Sequence, residues 1–126
     1  MPARPGLVVA ALAALCAVAP TAPAQALVPQ QIVAYTSSTD GYKPGDIIIF
    51  EGDTLTFTNL DHLASHDIVA VDYEAGHPVF RSAIIAFGAS TPVNGVSALP
   101  PSTYPFQCSV HDLMRGNIEV RARPAS

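Results

Sequence analysis

From Gln31 onward, apolar and polar residues fall in short runs with the two-residue period of strands, and no stretch long enough for a stable helix carries a helical period. Thr54 to Asn59 is the clearest case. Thr54, Thr56 and Thr58 share one face and Leu55 and Phe57 the other, which predicts a strand half buried against a core. Gln31 to Ser37 and Asp46 to Glu51 read as two earlier strands, separated by a turn-rich passage that ends in Lys43-Pro44-Gly45. A polar stretch from Asp61 to Ser65 leads into a short buried run, Ile68 to Val71, and Asp72 to Pro78 reads as loop. Phe80 to Phe87 fits either a strand or an irregular segment. Tyr104, Phe106 and Cys108 then point the same way along Thr103 to Cys108, so Cys108 faces the interior at a strand end. Gly116 opens the last strand, in which Ile118 and Val120 face inward, and Pro124 stops it. Many short strands with no crossover helix predict an all-β domain, an antiparallel sandwich or barrel.

The first residues follow a different logic. Arg4 precedes twelve consecutive apolar residues, Leu7 to Val18, and small residues follow Pro20 as far as Ala24-Gln25-Ala26. A positive start, a short apolar run and an Ala-x-Ala site predict a signal peptide over residues 1–26, cut after Ala26. Such a run is too short to span a bilayer, which takes roughly 20 residues as a helix. The expectation is export to a periplasm or the extracellular space, with one domain over residues 27–126 and no stable membrane insertion after the leader is removed.

Composition sharpens this picture in two ways. Lys and Arg number 6 against 10 Asp and Glu, a formal net charge of -4. Losing Arg4 with the leader makes it about -5. That deficit of positive charge argues against a nucleic-acid partner, because phosphate binding needs a Lys/Arg patch. The 2 cysteines are Cys16, inside the leader, and Cys108. An exported domain with a single cysteine forms no internal disulfide, and its thiol needs another use.

That use is written around it. In Cys108-Ser109-Val110-His111-Asp112-Leu113-Met114, thiol, imidazole and thioether recur every third residue on a loop between two strands. Soft sulfur donors with a borderline imidazole favour copper, cycling between Cu(I) and Cu(II), over hard ions. A trigonal His2Cys plane with a weak axial Met needs a second imidazole from a distant strand. His66 abuts the buried run and is the best placed, in preference to His62 and His77, which are expected to be exposed or to form a weak secondary site. His62 and His66 are four apart, a zinc-pair spacing on a helix, but the local pattern is strand and loop.

With Tyr104-x-Phe106 before Cys108, and with Gly52-Asp53-Thr54-Leu55-x-Phe57-x-Asn59 and Ser65-His66-Asp67 upstream, the chain resembles the small type 1 blue copper proteins. The pattern is most similar to the plastocyanin/amicyanin group of cupredoxins over Ile32 to Arg121, and its short Cys-to-Met loop resembles that of amicyanin. The resemblance implies an eight-stranded Greek-key sandwich, His66, Cys108 and His111 as equatorial ligands, Met114 as the axial one, and one-electron transfer between protein partners. It also implies an electron exit at the ring edge of His111, within an apolar patch that includes Leu113. Three positions depart from the family pattern. Asp67 stands where Asn is usual, Ser102-Thr103 replaces a common Gly, and Val110 and Asp112 flank His111 without the usual Pro. Asp67 and Asp112 are charges expected at or near the metal.

The function expected is a monomeric, exported one-electron carrier whose acidic surface selects redox partners with basic patches. A copper-binding or delivery module without a redox role is the alternative. An enzyme is not expected, since no second ligand-rich cluster, catalytic triad or carboxylate pair is visible.

Overall fold

The computed structural model describes residues 2–3, 6, 11, 13–18, 30–37 and 41–124. The expected leader, residues 1–26, lies largely outside the described residues. Among the described residues ten strands follow in order: β1 (Gln31–Ser37), β2 (Gly41–Lys43), β3 (Asp46–Phe50), β4 (Thr54–Asn59), β5 (Val69–Ala70), β6 (Tyr73–Glu74), β7 (His77–Pro78), β8 (Ser90–Pro92), β9 (Ser102–Cys108) and β10 (His111–Arg121). Between β8 and β9 lies a single 3-10 turn, Val96–Ala98. No helix among the described residues is long and apolar enough to cross a membrane.

Eight of the strands form two four-stranded sheets, β2-β1-β4-β8 and β3-β10-β9-β5, while β6 and β7 make a separate hairpin. Side chains of both sheets share one core. Leu55 and Phe57 enter it from β4, Ile47 and Ile49 from β3, Phe106 and Cys108 from β9, and Ile118 and Val120 from β10. Tyr42 of β2 crosses the interface, its ring meeting that of Phe106 edge-on at 4.8 Å and that of Phe57 at 6.1 Å. The all-β sandwich expected from the alternation is therefore present, with one refinement. β1 runs parallel to β4, and β10 runs parallel to β3, whereas the remaining pairs are antiparallel.

Residues 80–87 resolve as an irregular segment held by single bridges, Arg81 to Val69 and to Asn94, and Ile85 to His66. β10 starts earlier than Gly116. It turns back at His111 opposite Cys108, and its regular pairing with β9 resumes at Arg115 after an irregularity. Gly116 lies where β10 crosses Phe106 and the Gly45 carbonyl, with room for no side chain.

Asp53, in the turn before β4, ties the start of the sandwich to its end. Its carboxylate accepts the backbone N–H groups of Gln30 and Phe50 and pairs with the Arg123 guanidinium. Burial works against its charge, but those N–H groups and Arg123 together hold the carboxyl below its ordinary range.

Candidate metal centre

Three chain segments meet at one end of the sandwich. β9 ends at Cys108, a two-residue turn follows, and β10 begins at His111. His66 reaches the same place from the loop after β4, where its backbone N–H and C=O pair with those of Ile85 at 3.1 and 2.9 Å. The rings of His66 and His111 have centroids 4.7 Å apart. Their Nδ1 atoms both face the Cys108 sulfur, at 3.8 Å from His66 and 3.5 Å from His111.

These separations suit a single ion. Bond lengths of about 2.0 Å to imidazole and about 2.3 Å to thiolate, as zinc shows, put the donors of a trigonal plane about 3.7 Å apart. The three donor atoms lie within 4.8 Å of one another, and among the described residues no other His, Cys, Asp or Glu joins them. His66 is 4% exposed and Cys108 1%, whereas His111 reaches the surface. Met114 is half-buried and packs against the core cluster that contains Cys108. Cys16 and Cys108 are both free thiols, so the two do not pair. Of the competing histidines, His77 is exposed on the β6-β7 hairpin, and His62 is exposed with its ring edge-on to Phe87 at 6.2 Å. Neither joins the cluster.

Asp67 does what its position next to His66 suggests, using acceptor oxygens alone. At 1% exposure, it accepts the Ser109 backbone N–H at 2.7 Å and the Ser109 hydroxyl at 2.6 Å. The loop after His66 is thereby clamped to the loop after Cys108. The buried Tyr42 hydroxyl donates to the Asp67 carbonyl and steadies the same loop. Burial, then the charges of Cys108 and Asp67, push that phenol well above its ordinary range, so it stays a neutral donor. Asp112, by contrast, is exposed, and its carbonyl accepts the Arg115 Nε–H at 3.0 Å.

The clamp makes a testable distinction. In Asp67→Asn the amide oxygen can still accept the Ser109 N–H while its NH2 donates to the hydroxyl, so stability of the metal-free protein should change little. Asp67→Ala removes both bonds from a buried site and should cost about 2 kcal/mol, read as a lower urea midpoint.

The alternation and motif reading missed one residue altogether. Asp61, at the start of the polar stretch, is buried and accepts the Nε2–H of His66 at 2.7 Å. The bond from His66, followed by the Leu63 N–H, holds Asp61 below the usual carboxylate range. The one signal available in the sequence is an acidic residue five positions before His66, which is weak without knowing that the loop turns inward.

No family profile and no curated protein sequence matches the chain. Solved structures do match. A purple cupredoxin from Nitrosopumilus maritimus superposes with a TM-score of 0.58 at 22% identity, covering 71% of this chain and 99% of its own. An oxidized amicyanin variant gives 0.59 at 21%, covering 72% and 82%. The chain has the cupredoxin fold. A Cu-containing nitrite reductase from Thermus scotoductus SA-01 gives 0.60 at 26% identity over 83% of this chain, which spans only 25% of that larger one. Within the cupredoxin fold, the cluster of His66, Cys108 and His111 sits at the β9–β10 turn and the loop after β4, and Met114 follows His111 in β10.

Proposed function

We propose that this protein is a type 1 copper protein that carries single electrons between redox partners outside the cytoplasm. The observation behind the reading is the convergence of two Nδ1 atoms on one buried cysteine sulfur, with a methionine three residues beyond the second histidine. His66, Cys108 and His111 would hold the ion, with the Met114 thioether as a weaker fourth donor. Bound there, copper supplies a one-electron Cu(II)/Cu(I) couple.

The chain's own residues set the conditions for that couple. Cys108 binds as the thiolate, so uptake releases its proton and weakens in acid. The imidazoles and the sulfur are held in place by β9, β10 and the Asp67 clamp before any ion arrives, which would keep rearrangement between oxidation states small and favour rapid exchange. His111 is the surface-reaching member of the set, flanked by Val110 and by Leu113, which is 98% exposed. An apolar rim of this kind lets a partner approach the ring edge closely without stripping water from charges. The acidic balance of the chain would steer partners carrying basic patches, with salt slowing the encounter. The apolar leader supports export, and the domain is proposed to act as a monomer.

Electron carriage and copper delivery part company on reduction. The reduced, Cu(I)-loaded protein mixed with a basic oxidized c-type cytochrome should pass its electron in a second-order reaction that slows as salt rises, while a Cu(I) chelator strips the metal far more slowly. Transfer of Cu(I) to the chelator ahead of electron exchange would point to a delivery module instead.

A further inference from the structure

His66 is held from behind by a carboxylate as well as from in front by the sulfur. Its Nε2 and the Asp61 carboxylate form a buried pair, with side chains 5% and 8% exposed. Asp61 is in turn fixed by its surroundings. Its Oδ1 accepts the Leu63 N–H at 2.8 Å, and its own N–H donates to Asn59 Oδ1 at 2.9 Å. Asn59, fully buried at the end of β4, also accepts the Thr36 hydroxyl of β1 and donates from Nδ2 to the carbonyls of Ala64 and Ile85. Ile85 is the residue that pairs with the His66 backbone. One polar network therefore runs from the sheet to both the backbone and the ring of His66, and no buried side-chain N or O among the described residues lacks a partner.

The chemistry follows from where the proton must sit. A carboxylate accepts and does not donate, so the neutral ring bonded to it carries its hydrogen on Nε2 and leaves the lone pair on Nδ1, the atom that faces Cys108. A carboxylate behind a ligand imidazole also raises the basicity of the ring and places negative charge beside the ion, which favours the more highly charged oxidation state. We propose that Asp61 is a positioning residue that locks His66 with Nδ1 presented to the metal and biases the centre toward Cu(II) over Cu(I). This rests on the copper reading above for its second half only, because the Asp61–His66 bond needs no metal.

The test has a metal-free arm and a loaded arm. By NMR of the metal-free protein, His66 should show one tautomer, protonated at Nε2, with a solvent-protected N–H that Asp61→Ala exposes to rapid exchange. A readily exchanging His66 N–H in the unmodified chain would overturn the lock, whatever the metal does. In the loaded arm, Cu(II) and Cu(I) affinities are measured by chelator competition. Asp61→Asn keeps an acceptor oxygen and removes the charge, so Cu(II) affinity should fall about 10- to 100-fold and Cu(I) affinity by clearly less. Equal losses for both ions, or none, would overturn the bias and leave Asp61 a purely structural residue. If the unmodified chain binds no copper through Cys108, the copper reading fails while the metal-free arm still decides the lock.

Discussion

Replacing Cys108 by Ala is expected to abolish the strong visible absorption of the Cu(II)-loaded protein while leaving the metal-free fold nearly as stable as before. The two halves of this expectation have separate causes. Cys108 supplies the sole thiolate of the cluster, and a thiolate-to-copper transition needs that sulfur. Without it, two imidazoles and a thioether remain, and Cu(II) affinity should drop by more than about 100-fold, beyond the loss usual for an outer partner of a ligand. The side chain is also a small, 1% exposed member of the core. Its truncation removes one sulfur atom from a packed site and should cost about 1 kcal/mol, toward the lower end for buried truncations. Spectra and urea titrations on the same preparation check both halves. A Cys108→Ala protein that keeps the band would remove Cys108 from the site, and one that fails to fold would mean its role is packing.

The second large effect concerns the scaffold that carries the ligands. Gly116→Ala should destabilise the domain by about 3 kcal/mol or more, at the upper end for overpacking, lowering the melting temperature by roughly 15 °C for a domain of this size. A Cβ at Gly116 would lie 2.4 Å from Phe106 Cζ and 2.5 Å from the Gly45 carbonyl oxygen. Phe106 is fully buried and cannot swing away, and Gly45 O accepts the Asn117 N–H, so neither neighbour yields cheaply. The requirement is for space, since Gly116 is not among the glycines with positive φ. Gly45→Ala serves as the control. Its Cβ would meet only the Tyr42 carbonyl, at 3.8 Å, and it too lacks a positive φ, so thermal melting should shift little. Equal tolerance of both substitutions would show that β10 does not approach β9 as closely as described. Gly116 comes two residues after Met114 in β10, so relaxation there is expected to shift the Met114 side chain as well.

Legibility followed the length scale of each feature. β4 could be read because its Thr/Leu/Thr/Phe alternation is local and one face is buried, and Cys108 could be oriented because it shares a face with Tyr104 and Phe106. Which strand lies beside which was not legible in the same way. A half-buried strand alternates identically whether its neighbour runs parallel or antiparallel, so nothing in β1 or β3 announced their parallel pairings to β4 and β10. Residues 80–87 resisted assignment because only isolated residues, Arg81 and Ile85, make bridges. In the site, the Cys108-His111-Met114 spacing exposed three donors at once, and His66 followed from its place beside Ile68 and Val69. Asp61 did not, because a buried acid in a loop looks like an exposed one until Asn59 and His66 are seen to surround it. The Asn-to-Asp departure at position 67 was visible, but its consequence was not. Only the contacts with Ser109 reveal that acceptor oxygens suffice there.

Cys108, His66 and His111 are expected to hold copper together. The direct measurement is a titration of the metal-free domain with Cu(II), followed by visible absorption. An intense thiolate-to-copper band that saturates at one ion per chain, survives His62→Ala and disappears in His66→Ala is the predicted result. A pale complex without that band, or a band lost in His62→Ala and kept in His66→Ala, would contradict it.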